Sequence, residues 1–150
     1  AVLGNWQVDG IWTWRTGLPL TISSNACAAC QMGGDRSIRA NVVPGVSPSV
    51  SNPNAGEWFN PLAFTPQTTP FGTVGRDTVW GPGLQQWDLG FAKQFHLAEQ
   101  RYFQFRGELF NTFNQVNLNP PVSTVGTAGF GTITSALAGR NVQLGMKFYW

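Results

Sequence analysis

The amino-acid sequence predicts an all-β fold, an antiparallel meander of about four long amphipathic strands with two long loops. Apolar and polar residues alternate with period two in four segments, which is typical of strands whose two faces meet different surroundings. Charged residues are 11% of the chain, aromatic residues 13%, and there are 18 Gly and 10 Pro. Soluble domains average about 25% charged residues. We therefore expect this sheet to belong to a larger β-barrel or β-rich assembly.

The four strands are predicted near residues 5–15, 86–97, 101–110 and 140–150, within a single barrel-derived domain over 1–150. In each segment every second residue is apolar or Gly, with the one interruption at Lys93 in the second segment. These faces carry the aromatic residues that we expect to meet lipid or a neighbouring subunit: Trp6, Trp12, Trp14, Trp87, Phe91, Phe103 and Phe105.

The opposite faces of the predicted strands are polar, and they include six charged residues: Asp9, Arg15, Asp88, Arg106, Glu108 and Lys147. A dry core would have to pair each of these charges, whereas a hydrated barrel lumen would not. Strands of about ten residues also match the length that crosses a bilayer. The alternative is a soluble sandwich, which predicts shorter strands and charged outer faces.

The predicted connections differ greatly in length. A tight turn joins the second and third strands, while loops 16–85 and 111–139 are long and rich in turn-forming residues. Outer-membrane barrels have short periplasmic turns and long extracellular loops. We expect a short strand at Phe130–Thr134. We also expect the aromatic residues of the first loop to pack a small local core: Trp58, Phe59, Phe64, Phe71 and Trp80.

The two cysteines, Cys27 and Cys30, are separated by two residues. A c-type haem site would need His after the second Cys, where Gln31 stands. A zinc site would need two further ligands, and a thioredoxin-like site would need a βαβ context. We therefore expect a small loop disulfide formed in an oxidising compartment.

Catalysis is not expected of this chain. His96 is the only histidine and has no Ser or Cys partner nearby in sequence. Arg106 and Glu108 share a strand face and are read as a lumen salt bridge, although an acid and its partner is an alternative. Asp88 and Glu108 would face each other across neighbouring strands if they were paired glycosidase carboxylates. No cofactor or metal is expected.

Two broad partner classes are also disfavoured by the sequence. The net charge is +2 with no basic cluster, so nucleic-acid binding is not expected. No run of 18 apolar residues is present, which excludes a transmembrane helix on sequence grounds. The sequence opens at Ala1 in a strand-like pattern, without an initiator Met or a signal peptide, and we expect it to be an excised or processed piece.

The C-terminal octet, Gln143-Leu-Gly-Met-Lys-Phe-Tyr-Trp150, has a distinctive spacing. A polar residue, Gln143, precedes Gly145 by two positions, and the aromatic residues Phe148 and Trp150 end the chain. The octet resembles the β-signal that the bacterial barrel-assembly machinery recognises. A terminal edge strand must pair in a defined register, and a glycine allows another backbone to approach closely.

The resemblance extends along nearly the whole chain, to the C-terminal barrel strands of TonB-dependent outer-membrane receptors. It is closest to receptors with a carboxypeptidase-regulatory-like N-terminal domain. Four segments carry it in order: Gly4-Asn-Trp-Gln-Val-Asp-Gly-Ile-Trp with Thr16-Gly-Leu-Pro-Leu-Thr; Gly75-Arg-Asp, Gly81-Pro-Gly and Trp87-Asp-Leu-Gly-Phe-Ala-Lys-Gln-Phe; Phe105-Arg-Gly-Glu-Leu-Phe-Asn-Thr-Phe-Asn-Gln-Val-Asn117; and the last strand.

The resemblance implies a 22-stranded barrel with a plug, energised through TonB for nutrient uptake. Four strands cannot close a barrel, because about eight is the minimum. The expected partners are therefore the remainder of the barrel, with outer-membrane lipid around it, or further copies of the chain. In the second case the chain would be the subunit of an extracellular β-rich filament built by strand addition.

Overall fold

A computed structural model describes residues 4–25, 38–67 and 71–150. These residues are grouped into two compact units. The first contains Ala1–Arg15, Leu84–Asn117 and Leu137–Trp150; the second contains Thr16–Gly83 and Leu118–Ala136. Whether the two units fold together as a single domain stays a prediction.

In chain order, the described residues form ten strands and one 3-10 helix. The strands are β1 (Trp6–Arg15), β2 (Pro19–Leu20), β3 (Ser23–Ser24), β4 (Asn41–Val42), β5 (Phe64–Thr65), β6 (Val79–Trp80), β7 (Leu84–His96), β8 (Tyr102–Phe110), β9 (Thr124–Val125) and β10 (Asn141–Tyr149). The 3-10 helix is Pro61–Ala63. Among the described residues, no helix has the length and apolarity needed to cross a membrane.

The first unit is a four-stranded sheet in the order β1-β7-β8-β10. Every neighbouring pair is antiparallel, which confirms the predicted meander. The strands contain 10, 13, 9 and 9 residues, so each is close to or above the roughly 9–11 residues of a membrane-crossing strand. β7 begins at Leu84, two residues before the predicted start.

A tight hairpin joins β7 to β8, as the sequence predicts. The backbone N–H groups of Leu97 and Ala98 both donate to the Arg101 carbonyl, at 2.8 and 3.1 Å. Arg101 in turn donates to the carbonyl of Ala98 at 3.3 Å. By contrast, the β1–β7 and β8–β10 connections contain the second unit. The short turn therefore lies at one end of the sheet, and both long connections lie at the other end.

The second unit is more ordered than the predicted loops. Its described residues form three two-stranded sheets, with β2 on β6, β4 on β5 and β3 on β9, the last pair being parallel. A hydrophobic core lies among them and consists of eight buried residues: Ile22, Ala40, Phe59, Ala63, Phe64, Val74, Val79 and Val125. Phe59, Phe64 and Phe130 pack edge to face, with ring centroids 5.2–6.2 Å apart. The long loops thus carry a core of their own.

Two details of the loop predictions are wrong. Phe59 and Phe64 are buried and Trp58 packs against the core, but Phe71 and Trp80 are 81% and 61% exposed. Aliphatic residues complete the core in place of those two rings, and no periodic pattern in the sequence marks them. The predicted strand at Phe130–Thr134 is also absent. Phe130 and Gly131 lie in a turn, with Gly131 at a positive φ of 86°, and Ile133 and Thr134 belong to no strand. The short strand lies earlier, at Thr124–Val125.

Candidate membrane-facing sheet and assembly edge

The register of the four-stranded sheet collects the predicted aromatic residues on one face. Residues directly opposite each other in an antiparallel pair share a face. Trp12 lies opposite Trp87 and Val8 opposite Phe91, while Phe103 lies opposite both Phe95 and Phe148. All seven predicted aromatic residues share this face, which we call the apolar face: the even-numbered residues of β1 and β10 and the odd-numbered residues of β7 and β8.

Aromatic rings stack near both ends of the apolar face. Trp12 and Trp87 stack with centroids 5.4 Å apart, and Phe113 packs edge to face on Trp87 at 6.2 Å. Eight residues along β7, Phe95 and Phe103 stack at 4.6 Å. The rows between these two bands are mainly aliphatic and also contain Phe91. Aromatic residues concentrated toward both ends of an apolar face match the girdles and apolar belt of a membrane barrel.

The apolar face is not a buried core. Val8 is 71% exposed and Met146 70% exposed, and Trp6, Trp12 and Trp14 are each more than half exposed. A soluble sandwich would bury these side chains, because covering an apolar side chain contributes about 1.5–3 kcal/mol. Lipid offers the same cover without a second sheet. The exposure therefore favours a membrane-facing surface over the sandwich.

Lys93 is the one charged residue on the apolar face within the four strands, and it is 3% exposed. Its ammonium group donates to the backbone carbonyl of Gly4. The same group lies 5.2 Å from the centroid of the Trp6 ring and 5.5 Å from that of Phe95. Aromatic faces attract cations, so these neighbours compensate a charge that lipid would not solvate.

The polar face is formed by the alternate residues and carries the predicted charges. Arg106 Nε lies 2.8 Å from Glu108 Oε1, which confirms the predicted salt bridge. The arginine side chain is 55% exposed and the glutamate 30%, so water reaches the pair. Asp9 lies opposite Gly90, in the same row as Glu108. This arrangement suits a hydrated lumen and not a dry interior.

Asp88 and Glu108, which the sequence left open as a facing pair of carboxylates, do not face each other. Glu108 lies opposite Gly90 and not Asp88, so the facing pair of carboxylates considered from the sequence is wrong. Asp88 instead accepts hydrogen bonds from the Asn111 backbone N–H at 2.8 Å and from Gln86. His96 Nδ1 lies 3.1 Å from the Asn5 amide nitrogen, and its ring lies beside Tyr102. In the described ranges, no group of His, Cys, Asp and Glu is arranged to hold a metal.

Within the described part of the chain, the two outer strands of the sheet each have one neighbouring strand. β1 pairs with β7 and β10 pairs with β8, each on one side, and every residue of both strands is exposed. The β-signal-like residues lie on the second of these edges. Gln143 and Gly145 are on the polar face, opposite Glu108 and Arg106, and Phe148 stacks on Trp150 on the apolar face. An unpaired edge is a template for another strand.

A cluster of asparagine residues lies at the end of β8, and the strand pattern of the sequence does not predict it. Asn111 and Asn114 adopt the left-handed backbone conformation, with φ of 53° and 52°, which asparagine tolerates better than most residues. The Asn111 side chain exchanges two hydrogen bonds of 2.9 Å with the backbone of Gln115. Asn114 Oδ1 accepts from the Arg140 N–H at 3.0 Å, just before β10.

Asn117 completes this cluster. Its amide accepts from the Gln85 N–H and donates to the Gln85 carbonyl, both at 3.0 Å. β8 ends at Phe110 and does not extend beside Gln85. The Asn117 side chain therefore takes the hydrogen-bonding place that β8 would have there. The cluster thus fixes where β7, β8 and β10 end or begin. The recurrence of Asn at 111, 114 and 117 was the available signal.

The predicted Cys27–Cys30 disulfide lies outside the described residues and stays a prediction. Comparison with known proteins bears on the sheet itself. A family model described as an outer membrane beta barrel domain matches residues 1–143. The chain belongs to this family. The outer membrane beta barrel domain is accordingly located in the outer membrane. A search of curated proteins and a search of solved structures each found no match.

Proposed function

We propose that this outer membrane beta barrel domain is the C-terminal strand segment of a TonB-dependent receptor, and that its own role is structural and not catalytic. The observation that carries the proposal is the register, which separates an exposed aromatic face from a charged face over the full length of four strands. One face suits lipid and the other a wide aqueous lumen. The resemblance of four ordered segments to such receptors supports the finer assignment.

In this proposal β10 is the closing strand of the barrel. Its free edge pairs with the first barrel strand, and the octet from Gln143 to Trp150 acts as the β-signal during assembly. The family match ends at residue 143, so this role is supported by the octet's own spacing. It is also supported by the full exposure of the strand.

The test of the transport assignment is nutrient uptake by bacteria that express the full-length parent protein. Uptake of a scarce nutrient, screened as labelled iron chelates, cobalamin and oligosaccharides, is expected to stop when TonB is removed. A variant that lacks β10 should fail to reach the outer membrane in folded form. Uptake that is the same with and without TonB would refute the assignment.

A second candidate function rests on the strand directions. Because the order β1-β7-β8-β10 is antiparallel throughout, β10 runs opposite to β1. Copies placed side by side would therefore continue the same antiparallel ladder. A repeating contact of this kind that does not close gives an open filament. We propose an extracellular filament of this chain as the alternative.

The two candidates differ in an observable way. Electron microscopy of the purified chain in detergent-free buffer would show uniform filaments if copies add strands to one another. Material that stays soluble only in detergent and shows no polymer would reject the filament and leave the barrel segment.

A further inference from the structure

An arginine lies at each end of the apolar face, just outside a strand. Arg140 directly precedes β10, and the alternation of that strand places it on the same face as Val142. Arg101 directly precedes β8 and by the same alternation shares the face of Phe103. Both arginines are exposed. Because β8 and β10 are antiparallel, the two residues lie at opposite ends of the sheet.

Arg140 lies at the end of the sheet that carries the long connections, level with the tryptophan rings. The register, extended by one residue, places it beside Asn111 and in the row of the stacked Trp12 and Trp87 rings. Its backbone N–H donates to Asn114 Oδ1 at 3.0 Å. The start of β10, and with it the position of this arginine, is therefore fixed by a hydrogen bond from outside the strand.

Arg101 lies at the opposite end, in the hairpin between β7 and β8. It stands opposite Leu97, one row beyond the stacked rings of Phe95 and Phe103. Its backbone carbonyl accepts from Leu97, and its N–H donates to the carbonyl of Ala98, so the turn fixes its position. A long cationic side chain at the edge of an apolar surface keeps its charge in the adjacent polar layer.

The spacing of the two arginines matches the apolar belt of a membrane barrel. Asn111, in the row of Arg140, is ten residues from Arg101 along the chain. Ten residues of antiparallel strand span roughly 34 Å, and at a barrel tilt of about 35–45° they cover about 24–28 Å across the membrane. The apolar band of such barrels is about 25 Å tall. Both guanidinium groups therefore lie at the level of lipid headgroups.

Neither guanidinium is neutralised by this chain. Among the described residues, neither Arg101 nor Arg140 forms an ion pair with a carboxylate, and no Asp or Glu lies on the apolar face of the four strands. The other cation of this face, Lys93, is already engaged by the Gly4 carbonyl and two rings. The apolar face thus has unneutralised positive charge at both ends, which is complementary to lipids with anionic headgroups.

We propose that Arg140 and Arg101 each bind the phosphate group of a membrane lipid whose acyl chains cover the adjacent apolar face. A guanidinium presents paired N–H donors that match the oxygens of a phosphate, and the neighbouring aromatic and aliphatic side chains accept the acyl chains. The inference requires only that the apolar face meets lipid, so it does not depend on the receptor assignment.

The test uses the full-length parent protein, folded into vesicles of digalactosyldiacylglycerol and phosphatidic acid with identical acyl chains. The two lipids differ in that only the second carries a phosphate. A photo-crosslinking residue replaces Val142, two positions from Arg140 on the same face, or Leu97, opposite Arg101. Mass spectrometry of the folded protein gives the ratio of the two crosslinked lipids relative to their ratio in the vesicle.

At both positions phosphatidic acid is expected to be enriched about fivefold over its share of the vesicle. Arg140→Gln should abolish the enrichment at Val142. Arg15→Gln, at the same end of the sheet but on the polar face, should leave it unchanged. Arg101→Gln should likewise abolish the enrichment at Leu97, with Lys147→Gln on the polar face as its control.

Equal crosslinking of the two lipids with both arginines intact would overturn the proposal, and enrichment that persists without the arginine would reject the site at that position. Inorganic phosphate, added at the concentration of the lipid phosphate, should leave the enrichment unchanged, and its loss would reject lipid as the ligand. Uptake is scored separately. If uptake is independent of TonB while the enrichment depends on Arg140, the receptor assignment fails and the lipid sites stand.

Discussion

The side-chain amide of Asn117 forms with the backbone of Gln85 the two hydrogen bonds that a neighbouring strand would form, both at 3.0 Å. The bonds lie where β8 has ended and β7 still continues. Asn117 is 6% exposed, so water does not readily replace its amide.

Asn117→Leu is therefore expected to destabilise the barrel. The substitution keeps the size of the side chain but leaves the Gln85 N–H and carbonyl unpaired, which costs about 1–3 kcal/mol. Urea unfolding of the full-length protein in lipid vesicles, followed by Trp fluorescence, would measure the loss. Asn119→Leu is the control, because the Asn119 amide bonds to Ser135 at an exposed site. Equal losses in the two variants would contradict this role for Asn117.

Lys93 is expected to stabilise the sheet although it lies on the apolar face. Lys93→Met keeps the length of the side chain and removes the hydrogen bond to Gly4 and the contacts with two rings. A loss of about 1–3 kcal/mol is expected in the same unfolding measurement. Lys147→Met, on the polar face, serves as the control and should change stability by less than about 1 kcal/mol. A gain in stability for Lys93→Met would show that the charge is poorly compensated.

The assignment of the two faces can be tested with one pair of neighbouring residues. Val8 lies on the apolar face and Gln7 on the polar face of β1. Val8→Arg places a charge in lipid and is expected to cost about 2–4 kcal/mol if the residue lies near the bilayer midplane. Gln7→Arg faces the aqueous lumen and should cost far less. Folding yield into vesicles would compare them, and a greater loss for Gln7→Arg would reverse the assigned faces.

The core of the second unit is expected to depend on Phe59. This ring is 2% exposed and contacts Phe64 and Phe130. Phe59→Ala should destabilise the unit by about 3–5 kcal/mol, detected as faster proteolysis of the segment 38–67 in intact cells. Leu62→Ala, at a residue 77% exposed, is the control. If both variants are cleaved at the wild-type rate, the core does not hold the segment together.

The period-two pattern was sufficient to predict the four long strands because both faces of each strand meet a uniform environment. The pattern places Trp12 and Trp87 on the same face of the sheet although they are seventy-five positions apart in the sequence. The second unit has no such uniformity. Its core is built from single residues such as Ile22 and Val74, contributed by very short strands and irregular segments, so no periodicity marks them. Phe71 and Trp80 were misplaced for the same reason.

The polar face of the sheet was predictable in part: its residues were, but the contacts between strands were not. Alternation was enough to place Arg106 and Glu108 on one face, and their two-residue spacing predicted the ion pair. The relation of Asp88 to Glu108 depended on the register between β7 and β8, which alternation does not determine. The asparagine cluster was missed because its contacts join residues from 85 to 140, and only the folded chain shows that these amides complete strand ends.

The opposite directions of β1 and β10 have a consequence for how barrels of this kind change in size. The four strands form two hairpins, so β1 begins and β10 ends at the same rim of the barrel. Duplication or loss of such a segment would leave every other strand running in its original direction, with its loops on their original side of the membrane. Barrel circumference can therefore vary by four strands without inverting the topology of the rest of the protein.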